Sequence, residues 1–247
     1  MAEPSLLILG GTSLAANLAR VISSLKLRAV YSLAGRTEPT STPDMEIRTG
    51  GFGGAYALAD YLKRENFTAV IDATHAHAAG ISANARAACT QAGVALLRLQ
   101  EPPWVMVPGD NWIDAADITE ARDKAAEIAS RVFVSTGRQA MEDFADDPRS
   151  WWLARVIAPG ADLPELSNGE YVYARGPFDL AEELALLRDH DIGAIISKSA
   201  GGTATYAKIA AARQLAIPVV MIARPVSNDA EQAETVAEAV TWLQKVL

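Results

Sequence analysis

The stretch IGAIISKSAGGTAT, residues 192–205, decides the fold. Residues 192–197 are apolar and have no turn residue after Gly193, which predicts a short buried strand. From Ala204 the sequence ATYAKIAAARQLA predicts a helix, with Ile209 and Leu215 as its larger apolar residues. Between them lie Lys198, Ser199, Ala200, Gly201, Gly202 and Thr203. A glycine turn from a strand into a helix exposes backbone N–H groups, and the helix dipole adds partial positive charge. Thr203 is placed to cap the helix, and Lys198, Ser199 and Thr205 add donors. The stretch therefore reads as an anion cradle at the carboxyl end of a strand. A bare strand-to-helix turn is the plainer alternative, but it leaves the polar residues around the glycine pair unexplained.

The same pattern recurs outward from it. Residues 5–9 (SLLIL) predict a strand. It runs into Gly10, Gly11, Thr12 and Ser13, and then a helix to about Leu25 with Leu14, Leu18, Val21, Ile22 and Leu25 on one face. This is the opening of a nucleotide-binding unit, although Thr12 and Ala15 stand where G-x-G-x-x-G has its later glycines. A turn with nothing bound is the alternative. Residues 28–33 predict the second strand, whose tip faces the adenosine ribose in such units. An acid there would favour NAD. This chain has Arg36, flanked by Ser32 and Thr37, and guanidinium with hydroxyls suits the 2′-phosphate of NADPH. A solvated turn arginine is the competing reading.

Residues 46–49 predict a short strand, 50–54 a glycine-rich turn and 55–65 a helix. TAVIDA, residues 68–73, is a further strand. It ends in Thr74, His75, Ala76 and His77 before a helix over 79–92. Two histidines two apart diverge, and no third His or Cys lies nearby, so a metal site is not expected. Thr74 and His75 read instead as polar contacts at a ligand crevice, with His75 a candidate proton donor. Residues 94–97 close this half as a strand.

Pro102 and Pro103 interrupt the pattern, which places a boundary near residue 100 and predicts domains 1–100 and 101–247. In the second half a helix is expected over 117–130. A strand over 131–135 runs into Thr136, Gly137, Arg138 and Gln139. Strands over 151–157 and 171–174 follow, the latter ending in Arg175, and then a helix over 179–190. A strand over 217–223 leads to Arg224. The last helix is expected from Asn228, with Glu231 as its capping-box partner. Trp151, Trp152 and Trp242 read as core. Strand–helix alternation in both halves predicts an α/β fold: two Rossmann-like parallel-sheet domains with a cleft between them. The polar glycine turns all follow strands, so they should gather at the carboxyl ends. Arg36, Arg138, Arg175, Lys198 and Arg224 among them imply an anionic ligand.

Composition narrows the function. Half of the 247 residues are hydrophobic and 21% are charged, as in a globular chain. No apolar run approaches the roughly 18 residues of a membrane span, and no basic segment precedes an apolar leader, so a cytoplasmic location is expected. Cys89 is the single cysteine, which excludes a disulfide framework, and it is expected to be a reduced core thiol. Residues 1–100 carry nine Lys/Arg against seven Asp/Glu, and the remainder thirteen against twenty-three. An acidic second half argues against nucleic acid. His190, in a charged helix end, reads as solvated.

The ordered set ILGGT (8–12), SLAGRT (32–37), DATH (72–75), VFVSTGRQ (132–139), ARGPF (174–178) and SKSAGGTATYAKIAAARQLAIPVVMIARP (197–225) resembles the precorrin-6A reductase family over nearly the whole chain. The resemblance implies an NADPH-dependent oxidoreductase of cobalamin biosynthesis, acting on a CH–CH group. It would reduce one carbon–carbon double bond of precorrin-6A to give precorrin-6B, with no metal or flavin. By motif position, Gly10, Gly11, Thr12, Ser13, Ser32, Arg36, Thr37, Thr74 and His75 would hold NADPH. Thr136, Gly137, Arg138, Gln139, Lys198, Ser199, Gly201, Gly202, Thr203 and Arg224 would hold the carboxylates of the tetrapyrrole-derived macrocycle, the nicotinamide side of the cofactor, or both. Transient contact with neighbouring pathway enzymes fits such a role. Two other functions stay open: another NADP(H)-dependent reductase of similar fold, and a non-enzymatic corrinoid-binding protein.

Overall fold

The computed structural model describes residues 4–25, 27–35, 44–160, 162–225 and 230–247. Arg36, Thr37 and Asn228 lie outside the described residues. The chain divides into two compact units, Met1–Pro102 with Pro225–Leu247, and Pro103–Arg224.

In chain order the first unit contributes β1 (Ser5–Leu9), α1 (Ser13–Ser23), β2 (Arg28–Leu33), β3 (Glu46–Thr49), α2 (Ala55–Arg64), β4 (Ala69–Asp72), α3 (Ala79–Ala92) and β5 (Ala95–Leu99). The second unit contributes β6 (Trp112–Ala115), α4 (Ile118–Ile128), β7 (Arg131–Val134), a 3-10 helix (Arg138–Asp143), β8 (Trp151–Val156), β9 (Gly169–Tyr173), α5 (Leu180–Asp189), β10 (Ala194–Lys198), α6 (Ala207–Leu215) and β11 (Val219–Ile222). The chain then returns to the first unit with β12 (Glu231–Ala233) and α7 (Val236–Val246).

Each unit is built on a six-stranded sheet, ordered β3-β2-β1-β4-β5-β12 and β9-β8-β7-β10-β11-β6. Every pairing is parallel. Central strands of such sheets are covered on both faces and read as continuous apolar runs. All five residues of β1 are buried, as are the first four of β10. In the first unit one face packs Leu6, Ile8 and Ile71 against Leu18, Ile22, Trp242 and Leu243. The other packs Leu7, Leu9 and Val70 against Leu58, Leu62, Ala85 and Cys89. Cys89 is a free, buried thiol, and burial pushes its pKa up to about 12.

The sixth strand of each sheet follows, in sequence, the fifth strand of the other. After β5 the chain crosses to place β6 beside β11, and after β11 it returns to place β12 beside β5. The expected second domain of 101–247 is therefore corrected at its end. Residues 225–247 belong to the first unit, where Ala233, Ala239, Trp242 and Leu243 complete a core.

Other expectations change locally. Glu231 does not help to start a helix; it opens β12, paired in register with Leu97. The capping box forms seven residues later than expected, with Thr235 accepting from Glu238 N and Glu238 accepting from Thr235 N. Thr203 caps nothing. α6 begins only at Ala207, because residues 203–206 form a turn closed by Tyr206 N donating to Thr203 O at 3.2 Å. On α1, Val21 and Leu25 are exposed, and Ala15 and Ala19 take the buried face beside Leu18 and Ile22. His190 is not simply solvated: Nδ1 lies 3.0 Å from Leu186 O and Nε2 lies 3.2 Å from Glu170.

Candidate active site

In parallel sheets ligands bind outside the carboxyl ends of the strands, where the winding reverses. In the first sheet that point lies between β1 and β4, and in the second between β7 and β10. The motif residues sit at these two points.

At the first, Gly10 follows β1 directly. A Cβ there would lie 2.4 Å from the Tyr31 ring, so only glycine fits. Gly11 has φ +120°, a conformation that disfavours side chains. The Tyr31 hydroxyl accepts from Gly11 N at 3.4 Å. Thr12 caps α1 by accepting from Ala15 N at 3.0 Å, and its hydroxyl donates to Ala73 O at 2.9 Å. One side chain thus ties the β1 turn to the end of β4. No acid occupies the first turn of α1, so its positive end is uncompensated and suits an anion.

The β4 end is organised by a residue that the motif reading did not single out. Arg98, buried on β5, pairs with Asp72 at 2.5 Å, and donates to Thr74 Oγ1 at 3.0 Å and to His75 O at 3.2 Å. Burial lowers the Arg98 pKa, and the Asp72 carboxylate opposes that shift. Asp72 also accepts from Thr74 N at 3.1 Å and Thr74 Oγ1 at 2.7 Å. The Thr74 hydroxyl hydrogen is therefore engaged inside the loop. His75 is exposed, and its Nδ1 accepts from His77 N at 3.2 Å. That bond assigns the proton to Nε2. At the tips of β2 and β3, buried Ser32 is in register with Arg48. The Arg48 guanidinium lies 3.8 Å from the Phe52 ring centroid and donates to Gly50 O at 2.5 Å and Gly51 O at 2.8 Å, bracing the glycine turn.

At the second point the chemistry is different. Lys198, the last residue of β10, donates from Nζ to Thr136 O at 2.8 Å across to the end of β7. Burial lowers its pKa. Thr136 is 6% exposed, and its Oγ1 has no hydrogen-bond partner among the described residues. Buried hydroxyls are ordinarily satisfied, so this one points to a group that the chain itself does not supply. Gly137, at φ +80°, turns the backbone into the 3-10 helix. Arg138 is drawn away from this point: it pairs with Asp162 and donates to Ala158 O at 2.5 Å. Gln139 is exposed. Arg224 braces the other loop, donating from Nε to Ser199 O at 2.7 Å and from Nη2 to Ala200 O at 2.6 Å. Gly201 and Gly202 have φ of +80° and +65°, and Gly202 O accepts from Trp104 Nε1 at 2.7 Å. Among the described residues no three His, Cys, Asp or Glu side chains are grouped to hold a metal ion.

The family model described as precorrin-6x reductase CbiJ/CobK matches residues 5–244. The chain belongs to this family. It is 40% identical to the precorrin-6A reductase of Rhodobacter capsulatus over 96% of this chain and 95% of that one. It is 28% identical to the cobalt-precorrin-6A reductase of Salmonella typhimurium, over 91% and 89%. A solved CobK precorrin-6A reductase superposes with a TM-score of 0.92 at 39% identity, covering 98% of this chain and 96% of that one. The chain is therefore an oxidoreductase of cobalamin biosynthesis with the two-sheet fold of its family. For a CbiJ/CobK reductase this implies a nicotinamide cofactor.

Several organising residues of this reductase carried no motif. Arg98 is a charge inside the apolar strand ALLRL, and such a residue signals a buried partner. Tyr31 and Trp104 act through contacts that join distant segments, and spacing along the chain does not reveal those.

Proposed function

We propose that the chain uses NADPH to reduce one carbon–carbon double bond of precorrin-6A, giving precorrin-6B. The observation that carries the reading is the contrast at the two switch points. A neutral, glycine-walled helix start stands in the first sheet, and a half-buried lysine beside a hydroxyl unpartnered among the described residues stands in the second. The space that Tyr31 and Gly10 define, with the uncompensated α1 terminus, fits a pyrophosphate. When bound, the nicotinamide supplies the hydride.

Gly10, Gly11, Thr12 and Ser13 hold the pyrophosphate, and Thr12 keeps that turn locked to β4. Ser32, Arg36 and Thr37 take the ribose 2′-phosphate. Thr74 and His75 line the nicotinamide side, with Arg98 holding their loop rigid. His75, carrying its proton on Nε2, is the candidate donor of the proton that completes the reduction. In the second unit Lys198 and Thr136 bind a substrate carboxylate through one charge-assisted and one neutral hydrogen bond. Gly137, Gln139, Ser199, Gly201, Gly202 and Thr203 shape the surrounding backbone. Arg138 and Arg224 serve the site by holding its loops.

Identity near 40% to enzymes named for the cobalt-free substrate, against 28% to the Salmonella enzyme named for the cobalt form, supports the cobalt-free macrocycle. No helix among the described residues is long and apolar enough to cross a membrane, in keeping with work on a soluble intermediate in the cytoplasm. The test is a fluorescence titration with NADPH and with NADH, followed by anaerobic turnover of precorrin-6A. Preferential binding of NADPH and its oxidation on adding precorrin-6A are expected. Binding of the macrocycle with no nucleotide binding, even in its presence, would favour a corrinoid-binding protein instead.

A further inference from the structure

Beneath the glycine loop of the second unit lies a charged cluster that the proposed reaction does not use. Lys208, in the first turn of α6, is 5% exposed. Its Nζ donates to Thr205 O at 2.7 Å and lies 5.0 Å from the Trp104 ring centroid. Arg155 on β8 and Glu183 on α5 form a buried ion pair at 2.7 Å. Arg155 also lies 4.1 Å from the ring centroid of Phe178. The backbone of that residue reaches the same loop, with Phe178 N donating to Ala204 O at 3.2 Å. Trp104 Nε1 takes Gly202 O.

Three loop carbonyls, those of residues 202, 204 and 205, are thus held from one side by donors attached to this cluster. In a trans peptide the C=O and the following N–H point in opposite directions. Holding the carbonyls of Gly202 and Ala204 turns the N–H groups of Thr203 and Thr205 to the other side. Holding Thr205 O sets the next peptide so that Tyr206 N closes the turn onto Thr203 O. The two N–H groups of Thr203 and Thr205 can then donate to one anion.

We propose that Lys208 is a positioning residue: from beneath the loop it sets the backbone of residues 202–206 so that the N–H groups of Thr203 and Thr205 face the substrate carboxylates. It touches neither substrate nor cofactor. The inference rests on the reductase reading for its kinetic consequence, but not for its structural one. A lysine is otherwise an uneconomical core residue, since an apolar side chain of equal length would be buried without desolvating a charge.

The experiment compares wild type with Lys208→Met. Steady-state kinetics with precorrin-6A and NADPH should show KM for precorrin-6A raised about tenfold, an expected loss of one hydrogen-bond's worth of positioning. The kcat and the Kd for NADPH should stay within about twofold. Hydrogen–deuterium exchange should be faster across residues 199–206, with Tm not lowered. An unchanged KM together with unchanged exchange overturns the proposal. If Lys208→Met does not fold, Trp104→Phe, which removes only the indole donor to Gly202 O, must show the same shift in KM and exchange or the proposal fails. Absence of turnover by the wild type would defeat the reductase reading alone. The exchange comparison, which needs no substrate, would then decide the inference.

Discussion

The two units share a strand order and differ in what they place where that order reverses. In the first, the groups at the carboxyl ends of β1 and β4 are already satisfied by the protein. Thr12 binds Ala15 N and Ala73 O, and Thr74 binds Asp72 and Arg98. In the second, among the described residues, Thr136 Oγ1 is buried and unpartnered, and the neighbouring Lys198 ammonium donates to a backbone oxygen. A charged donor with a carbonyl partner has kept its preference for a carboxylate. One fold therefore carries a preorganised, nearly neutral cradle and a cationic, incompletely satisfied one. The first suits a ligand that supplies its own diffuse charge along a helix axis. The second suits a discrete carboxylate.

The comparison breaks most visibly at Arg98. Arg98→Met strands Asp72 without its buried partner and should lower stability by roughly 3–5 kcal/mol, read by urea unfolding. A loss under 1 kcal/mol would show that the first cradle is not held by this pair. Next, Lys198→Met should raise KM for precorrin-6A by about 10–100-fold, equivalent to roughly 1.5–3 kcal/mol for a hydrogen bond from a charged group. NADPH affinity should be unchanged within about twofold. Equal loss of both would merge the two sites into one.

Thr12→Val removes a helix cap and its tie to β4. It should cost about 1 kcal/mol of stability and weaken NADPH binding several-fold in a titration. Thr136→Val should move stability and affinity in opposite directions. Removing an unsatisfied buried hydroxyl leaves Tm equal or higher, while affinity for precorrin-6A falls by roughly 0.5–1.5 kcal/mol. A lower Tm would mean that the hydroxyl is satisfied within the protein.

A last test separates charge from packing at Lys208. Burial lowers its pKa from 10.5 to about 7, with Glu183 opposing that shift and Arg155 adding to it. Between about pH 7 and 10.5 the unfolded chain binds a proton that the folded chain does not, so the wild type gains stability as pH rises through that window. The Tm advantage of Lys208→Met should be greatest below pH 7 and shrink toward pH 10. A pH-independent difference would assign the effect to packing alone.

Much of this was legible along the chain. Apolar runs followed by polar glycine turns at residues 10–13, 74–75, 136–139 and 198–203 are local features, because a central parallel strand must be apolar on both faces and a tight turn needs glycine. They established the α/β class and placed the polar turns at the carboxyl ends of strands. What the chain order could not show is where a strand goes after it ends. Residues 112–115 lie beyond the proline break and join the second sheet, while 231–233 were read as the start of a helix and return to the first. Both are short edge strands, made by pairing with a distant neighbour rather than by their own pattern.

The same division holds within the site. Residue types and turn chemistry, which act over a few positions, placed the candidate anion-binding turns at the ends of the strands. Only the tertiary structure decided which polar groups remain for a ligand. Arg138 and Arg224 are cations of the same motifs as Lys198, yet Asp162, 24 residues from Arg138, takes the first, and the carbonyls of Ser199 and Ala200, about 25 residues from Arg224, take the second. Lys198 is reached by one carbonyl, that of Thr136, and Thr136 Oγ1 has no partner among the described residues, so both keep hydrogen-bonding capacity. Sequence states which groups can bind, and the fold, by bringing distant partners to some of them, states which are left to do so.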